Sequence, residues 1–157
     1  MPIVTSTPGQ LADVVRAPFG RDVIEAIIPQ RDPFLFVDEV LELDPGVRCV
    51  ARKLIREDEW FLEGHFPGRP IVPGVIMVEG LAQTCGITLL VVPEHRGRLP
   101  LFAGIDRFRF KRIVSPGDEL TFSCEVIGSR DRIGKGNVEA RVGAEVACRG
   151  TLLFASE

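Results

Sequence analysis

Nothing in this chain of 157 residues is arranged to hold a metal ion or a redox pair. Its four cysteines, Cys49, Cys85, Cys124 and Cys148, are scattered without a C-x-x-C pair, and its two histidines, His65 and His95, lie far apart. That spacing fits neither a zinc site nor a disulfide framework, and the thiols read as reduced core residues of a cytoplasmic protein. There is no G-x-S-x-G and no nucleophile with a partnered base, which argues against acyl-enzyme chemistry. No glycine-rich phosphate cradle or dinucleotide fingerprint occurs either, so no cofactor is expected. Cationic side chains are outnumbered, 19 Lys and Arg against 22 Asp and Glu, for a formal net charge of −3. Nucleic acid is therefore a poor candidate partner, because phosphate binding draws on many basic contacts. The opening stretch "MPIVTSTPGQLADVVRAPFG" lacks a charged segment followed by an apolar run, so it shows no secretory signal.

One long apolar run does occur, from Val72 to Val92. Its length is near the roughly 20 residues that span a bilayer. Glu79, Gln83, Thr84 and Thr88 fall inside it, and a carboxylate at that depth costs several kcal/mol, so no membrane insertion is expected. In a water-soluble chain a helix that is apolar on nearly every side must be wrapped by other structure.

The chain length suits one domain, which at this size buries roughly 70% of its unfolded surface. We read residues 21–157 as that domain and residues 1–20 as an N-terminal extension, punctuated by Pro2, Pro8, Gly9, Pro18 and Gly20. "RDVIEAIIP" predicts a short helix with Val23, Ile24, Ile27 and Ile28 on one face and Pro29 at its end. "FLFVDEVLELDPGVRCVARKLI" predicts two strands joined at Asp44-Pro45-Gly46. Prolines 67, 70 and 73 keep the stretch from Arg56 to Pro73 irregular, and the long helix starts at Pro73, which is favoured at a first helical position. After the polar loop "VVPEHRGRLP", period-two alternation through Leu120–Val126 and Val138–Val142 predicts antiparallel strands turning at "SPGD" and near Gly143. The expected architecture is α+β, one long helix packed on one antiparallel sheet.

Three features carry chemistry. His65, on a loop stiffened by Pro67 and Pro70, carries the side-chain type most often used as a general base; the bland alternative is a hydrogen-bonded surface residue. His95, within "PEHRGR", reads as solvent-exposed. Glu79 lies among Val75, Ile76, Met77, Val78 and Leu81, where desolvation favours its protonated form and makes it a general acid; the alternative is a wet strip of helix near the positive dipole end. Gln83, one turn on, is placed to orient it. Gly74, at the second position of the helix, offers a backbone N–H with no side chain in the way, suited to polarising a carbonyl oxygen. Base, acid and oxyanion donor together make a proton-transfer site. Separately, "DRFRFKR" alternates Arg107, Arg109 and Lys111 with Phe108 and Phe110, which on a strand puts a basic comb on one face, either a solvated surface or a docking strip for an acidic partner.

"GHFPGRPIVPGVIMVEGLAQTCG" closely resembles the signature of the FabZ-type 3-hydroxyacyl-(acyl-carrier-protein) dehydratases of fatty acid synthesis. The likeness continues through "IPQRDPFLFVDEVLELDPG" and "FAGIDRFRFKRIVSPGDEL", covering about Arg21 to Phe154. It implies a hot-dog fold, a central helix wrapped by an antiparallel sheet, in homodimers that commonly assemble as trimers of dimers with each active site at a dimer interface. By the same resemblance His65 and Glu79 are a catalytic pair from different subunits. They convert a (3R)-3-hydroxyacyl thioester to the trans-2-enoyl thioester, with Gly74 on the thioester carbonyl. Phe66, Val72 and Gln83 are then substrate-binding, and Arg107, Arg109, Lys111 and Arg112 dock acyl carrier protein with its phosphopantetheine-linked substrate. The FabA-type branch, which also isomerises, has aspartate where Glu79 stands. Two departures from the family's pattern occur: Gln30-Arg31-Asp32 replaces its His-Arg-Tyr, and no tyrosine occurs anywhere, Leu101 and Phe102 occupying the region of its gating tyrosine. These leave room for a dehydratase dedicated to a secondary-metabolite pathway; a hot-dog acyl thioesterase is the rival enzyme.

Overall fold

Turn chemistry and alternation organise a sheet around one helix. The computed structural model describes residues 15–157; residues 1–14, most of the stretch read as an extension, lie outside the described residues. Its last two residues belong to the sheet: β1 (Phe19–Gly20) pairs with β2 through Phe19 opposite Val40, and Phe19 is buried against the core. Helix α1 (Arg21–Ile27) follows, with Ile24 and Ile27 buried as its spacing predicts. β2 (Glu39–Asp44) and β3 (Arg48–Leu54) form a hairpin across the Asp44-Pro45-Gly46 turn, where Val47 N–H reaches Asp44 O at 2.9 Å and Gly46 takes a φ of 74°. That positive φ is glycine's to supply.

Helix α2 (Gly74–Leu90) runs for 17 residues, about 25 Å, and all but four of them are buried. After a 3-10 turn at Pro93–His95, four long strands complete the fold: β4 (Pro100–Phe110), β5 (Glu119–Arg130), β6 (Ile133–Val142) and β7 (Glu145–Ser156). All seven described strands form one antiparallel sheet in the order β1-β2-β3-β5-β6-β7-β4, with α2 packed across β3, β5 and β6.

Helix and sheet meet closely at Gly80, where an added Cβ would lie 2.4 Å from Phe122 Cζ. Nothing larger than glycine fits there without displacing the aromatic core. The helix satisfies its own buried hydroxyls, Thr84 Oγ1 donating to Gly80 O and Thr88 Oγ1 to Thr84 O. All four cysteines are free and buried. Burial, with a smaller contribution from Cys124, pushes the Cys49 thiol up to about 12, and burial does the same for Cys148, so neither is a nucleophile at neutral pH.

Three expectations need correction. The residues before Glu39 are not strand: Phe34 and Phe36 are held by a side chain of α2 instead of a ladder partner. Pro73 is the N-cap of α2, with an extended ψ of 134°, so Gly74 is the first helical residue and not the second. The β4 comb is interrupted by a bulge between Asp106 and Arg109, where Arg107 adopts a left-handed φ of 51°. One extra residue there shifts the face assignment. No described helix is long and apolar enough to cross a membrane.

Candidate active site

The loop carrying His65 is built from successive turns. Glu59 O accepts Leu62 N–H at 3.1 Å, and Leu62 O accepts His65 N–H at 3.0 Å. The anchor of this series was not foreseen. Lys53 on β3 is only 1% exposed, and its Nζ donates to Glu59 Oε1 at 2.8 Å. A buried ammonium without that carboxylate would be strongly destabilising, so the pair ties the loop to the sheet. Trp60 adds a second tether, its Nε1 donating to Pro33 O at 2.9 Å while its ring packs near Phe36 and Phe61.

His65 itself is half-buried, and its Nδ1 lies 3.0 Å from Ile71 O, while Ile71 N–H returns to His65 O at 3.0 Å. A carbonyl only accepts, so Nδ1 carries the proton and Nε2 presents its lone pair. Phe66 stacks on the imidazole with centroids 4.2 Å apart and is half exposed. Val72, expected as a substrate contact, is buried in the core, its N–H bonded to Val114 O. Gly74 lies beneath the Phe110 ring, since a Cβ there would come within 2.7 Å of Phe110 Cε1. As the first residue of α2 it has no intrahelical partner for its N–H.

Glu79 is the partly buried carboxylate of an otherwise uncharged helix, and burial raises its pKa above the ordinary carboxylate value. Gln83 is fully buried and uses both ends of its amide: Oε1 accepts Phe36 N–H at 2.8 Å, while Nε2 donates to Phe34 O at 2.9 Å and to Glu79 Oε1 at 3.1 Å. Gln83 thus reaches a carboxylate one turn away and a chain segment nearly fifty residues away. Gln30 is a further neighbour of Glu79; its amide, like that of Gln83, opposes the burial effect by favouring the ionised form.

The sign of this shift gives a stability prediction. Unfolded, Glu79 ionises at the ordinary value; folded, only at higher pH. Between the two the native state holds more protons, so rising pH weakens the fold. Glu79→Gln abolishes this, and its stability relative to the parent is expected to rise as pH climbs through that window, then level off. Urea unfolding at a series of pH values measures it; a stability of Glu79→Gln that falls relative to the parent as pH rises would contradict a desolvated carboxyl.

No hydrogen bond or ion pair joins His65 to Glu79 among the described residues. Each is instead held by its own framework. His95 is half-buried, not exposed as expected, because it lines an apolar cavity with Leu89, Leu90, Ile133 and Phe154 at the far end of α2. Of the basic strip, Arg107, Arg109 and Lys111 are exposed, whereas Arg112 is engaged with Asp118 at 2.9 Å and Glu145 at 3.3 Å. Lys53 and Glu59 carry no motif of their own, the visible signal for that pair being a lysine at an inward position of the "RCVARKL" alternation. Gln30 stood out only as a glutamine where the resembled family has histidine.

A family model described as a FabA-like domain matches residues 28–151. The chain is 52% identical over 132 residues to a 3-hydroxyacyl-(acyl-carrier-protein) dehydratase FabZ of Chloroflexus aggregans, covering 84% of this chain and 92% of that protein. It is 50% identical over 134 residues to the FabZ dehydratase of Moorella thermoacetica, covering 85% and 94%. Among solved structures it is similar in fold to the dehydratase heterocomplex ApeI:P from Xenorhabdus doucetiae, with a TM-score of 0.73 and 16% identity over 85% of this chain and 90% of that one. A sigma28-regulated virulence protein from Campylobacter jejuni matches with a TM-score of 0.67 and 11% identity over 87% and 89%.

Proposed function

The chain belongs to the FabA-like family, and from that premise we propose that it is a 3-hydroxyacyl-(acyl-carrier-protein) dehydratase with a hot-dog fold, acting in fatty acid biosynthesis. The observation that carries this reading is half identity to FabZ dehydratases across most of both chains. The site chemistry supports it, because a base with a free Nε2 and a carboxyl kept protonated by burial are what an elimination of water needs.

In the proposed reaction Nε2 of His65 removes the C2 proton of a (3R)-3-hydroxyacyl thioester, while Nδ1–H stays on Ile71 O and holds the tautomer. The Gly74 N–H takes up charge developing on the thioester oxygen. Glu79 gives its proton to the 3-hydroxyl as the C3–O bond breaks, leaving the trans-2-enoyl thioester and water. Phe66 borders the acyl path, and the buried Val72 acts indirectly, its N–H bond to Val114 O fixing the start of α2. The deciding experiment presents a 3-hydroxyacyl carrier protein: conjugated enoyl thioester should appear, and thiol release without it would make the protein a thioesterase.

The working unit is a cytoplasmic homodimer in which His65 of one subunit meets the other subunit's Glu79, with a trimer of dimers as the larger assembly. Supporting this, β4 closes one edge of the sheet yet leaves Leu101, Phe102, Ile105 and Phe110 each 42–54% exposed. A long apolar edge strand in this state is suited to pairing with a second copy.

The carrier protein, with its phosphopantetheine-linked acyl group, docks on Arg107, Arg109 and Lys111, and Arg112 holds the adjoining turn through Asp118. Reversing Arg109 and Lys111 to glutamate should raise the KM for carrier-borne substrate about tenfold, since steering charges act on encounter. The KM for a free pantetheine thioester should stay unchanged; an equal rise for both would exclude docking.

A further inference from the structure

We propose that Gln30 binds the substrate's 3-hydroxyl, accepting its hydrogen at Oε1 and holding the leaving oxygen towards Glu79. This rests on the dehydration proposed above and adds to it a specificity-determining group.

Gln30 stands between α1 and β2 on a backbone that is thoroughly pinned. The Arg31 guanidinium donates to Glu25 O at 2.7 Å, Ile28 O at 2.9 Å and Gln30 O at 2.8 Å. Arg21 Nη1 donates to both carboxylate oxygens of Asp32, at 2.8 and 2.7 Å. The side chain is therefore presented from a fixed point, and its amide lies against Glu79.

The two glutamines around Glu79 differ in one respect. Gln83 has its Oε1 occupied by Phe36 N–H and its Nε2 by Phe34 O and Glu79. Gln30 Oε1 is shut off from solvent and meets no hydrogen-bond donor among the described residues. A buried amide oxygen without a donor is rare in native proteins and costly, so its persistence beside a proton-donating carboxyl calls for a reason. A donor that fits there is an O–H whose own oxygen is about to be protonated, which describes a secondary alcohol leaving as water.

The C2–H bond breaks and its proton passes to His65 Nε2. The electron pair forms the C2=C3 bond. The C3–O bond breaks with its pair going to oxygen, which takes the proton of Glu79. The new water still donates to Gln30 Oε1, and the carboxylate left behind receives the amide N–H groups of Gln30 and Gln83. Gln30 thus discriminates hydroxyacyl from saturated thioesters and stabilises the ionised product form of Glu79.

The test compares two inhibitors that cannot eliminate for want of a C2 hydrogen, a 2,2-dimethyl-3-hydroxyacyl pantetheine and its 3-deoxy counterpart. The parent enzyme should prefer the hydroxylated one by about three- to tenfold, the range of one net neutral hydrogen bond. Gln30→Met should bring this ratio to about one, leave the affinity for the deoxy compound unchanged, and lower kcat by about tenfold or more. Gln30→His, which restores an acceptor nitrogen, should recover the preference and add an ionisation to the pH profile of kcat. A preference that survives in Gln30→Met, or equal loss of affinity for both inhibitors, overturns the proposal. If the parent itself forms no enoyl thioester, the dehydration reading falls; if it does and only the hydroxyl preference is unmoved, the Gln30 assignment alone falls.

Discussion

Replacing His65 by alanine is expected to lower the rate of enoyl thioester formation by about 10²- to 10⁴-fold, the usual contribution of a positioned general base. The loss should fall on kcat, because the imidazole contributes its Nε2 lone pair to the transition state and little to holding the acyl chain. The fold should survive. His65 is half-buried, and among the described residues its side chain makes one hydrogen bond, to Ile71 O of an equally half-buried residue. The turns that shape the loop use backbone groups and the Lys53–Glu59 pair, none of which the substitution removes. Thermal unfolding close to that of the parent, together with collapsed turnover, is the expected combination. A variant that keeps a third or more of the parent kcat would end the assignment of His65 as the base.

The second large effect is a recovery. Glu79→Gln, which keeps the shape of the acid but not its proton, should alone be as inactive as His65→Ala. If each site takes its base from one subunit and its acid from the other, co-refolding equal amounts of the two variants makes half of the dimers mixed. Each mixed dimer holds one intact site and one doubly defective site, so about a quarter of parental activity should return from two inactive preparations. The structure motivates this, because the frameworks that hold His65 and Glu79 are separate and no hydrogen bond or ion pair links the two side chains among the described residues. No recovery, with mixed dimers demonstrated by differential tagging, would place both groups in a single chain.

These expectations show unevenly how much of the site could be read from residue order. The desolvated carboxylate was legible because it breaks an apolar run: Glu79 among Val75–Leu81 is conspicuous in any helical reading, and the structure gives it the raised pKa that desolvation implies. The position of His65 on a proline-stiffened loop was legible too, as were α1, the β2–β3 turn, α2 and the alternating strands after it. The misreadings arose where local pattern met a distant partner. Phe34–Val37 looks like strand because Phe and Val favour one, but Gln83 takes Phe34 O and Phe36 N–H. The basic comb of β4 looks regular, yet a left-handed Arg107 inserts an extra residue against β7.

By itself, then, the sequence determined which residues are apolar, where prolines and glycines turn the chain, and that one carboxylate would be desolvated, since each follows from periodicity and residue chemistry within a few positions. Only the tertiary structure decided that Lys53 anchors the His65 loop through Glu59, that Gln83 joins Glu79 to Phe34 and Phe36, and that Gln30 reaches the same carboxylate. The reason is physical. A buried polar group takes whichever partner the packed chain brings within hydrogen-bonding distance, and for Gln83 and Gln30 that partner lies almost fifty residues away, beyond anything local spacing encodes.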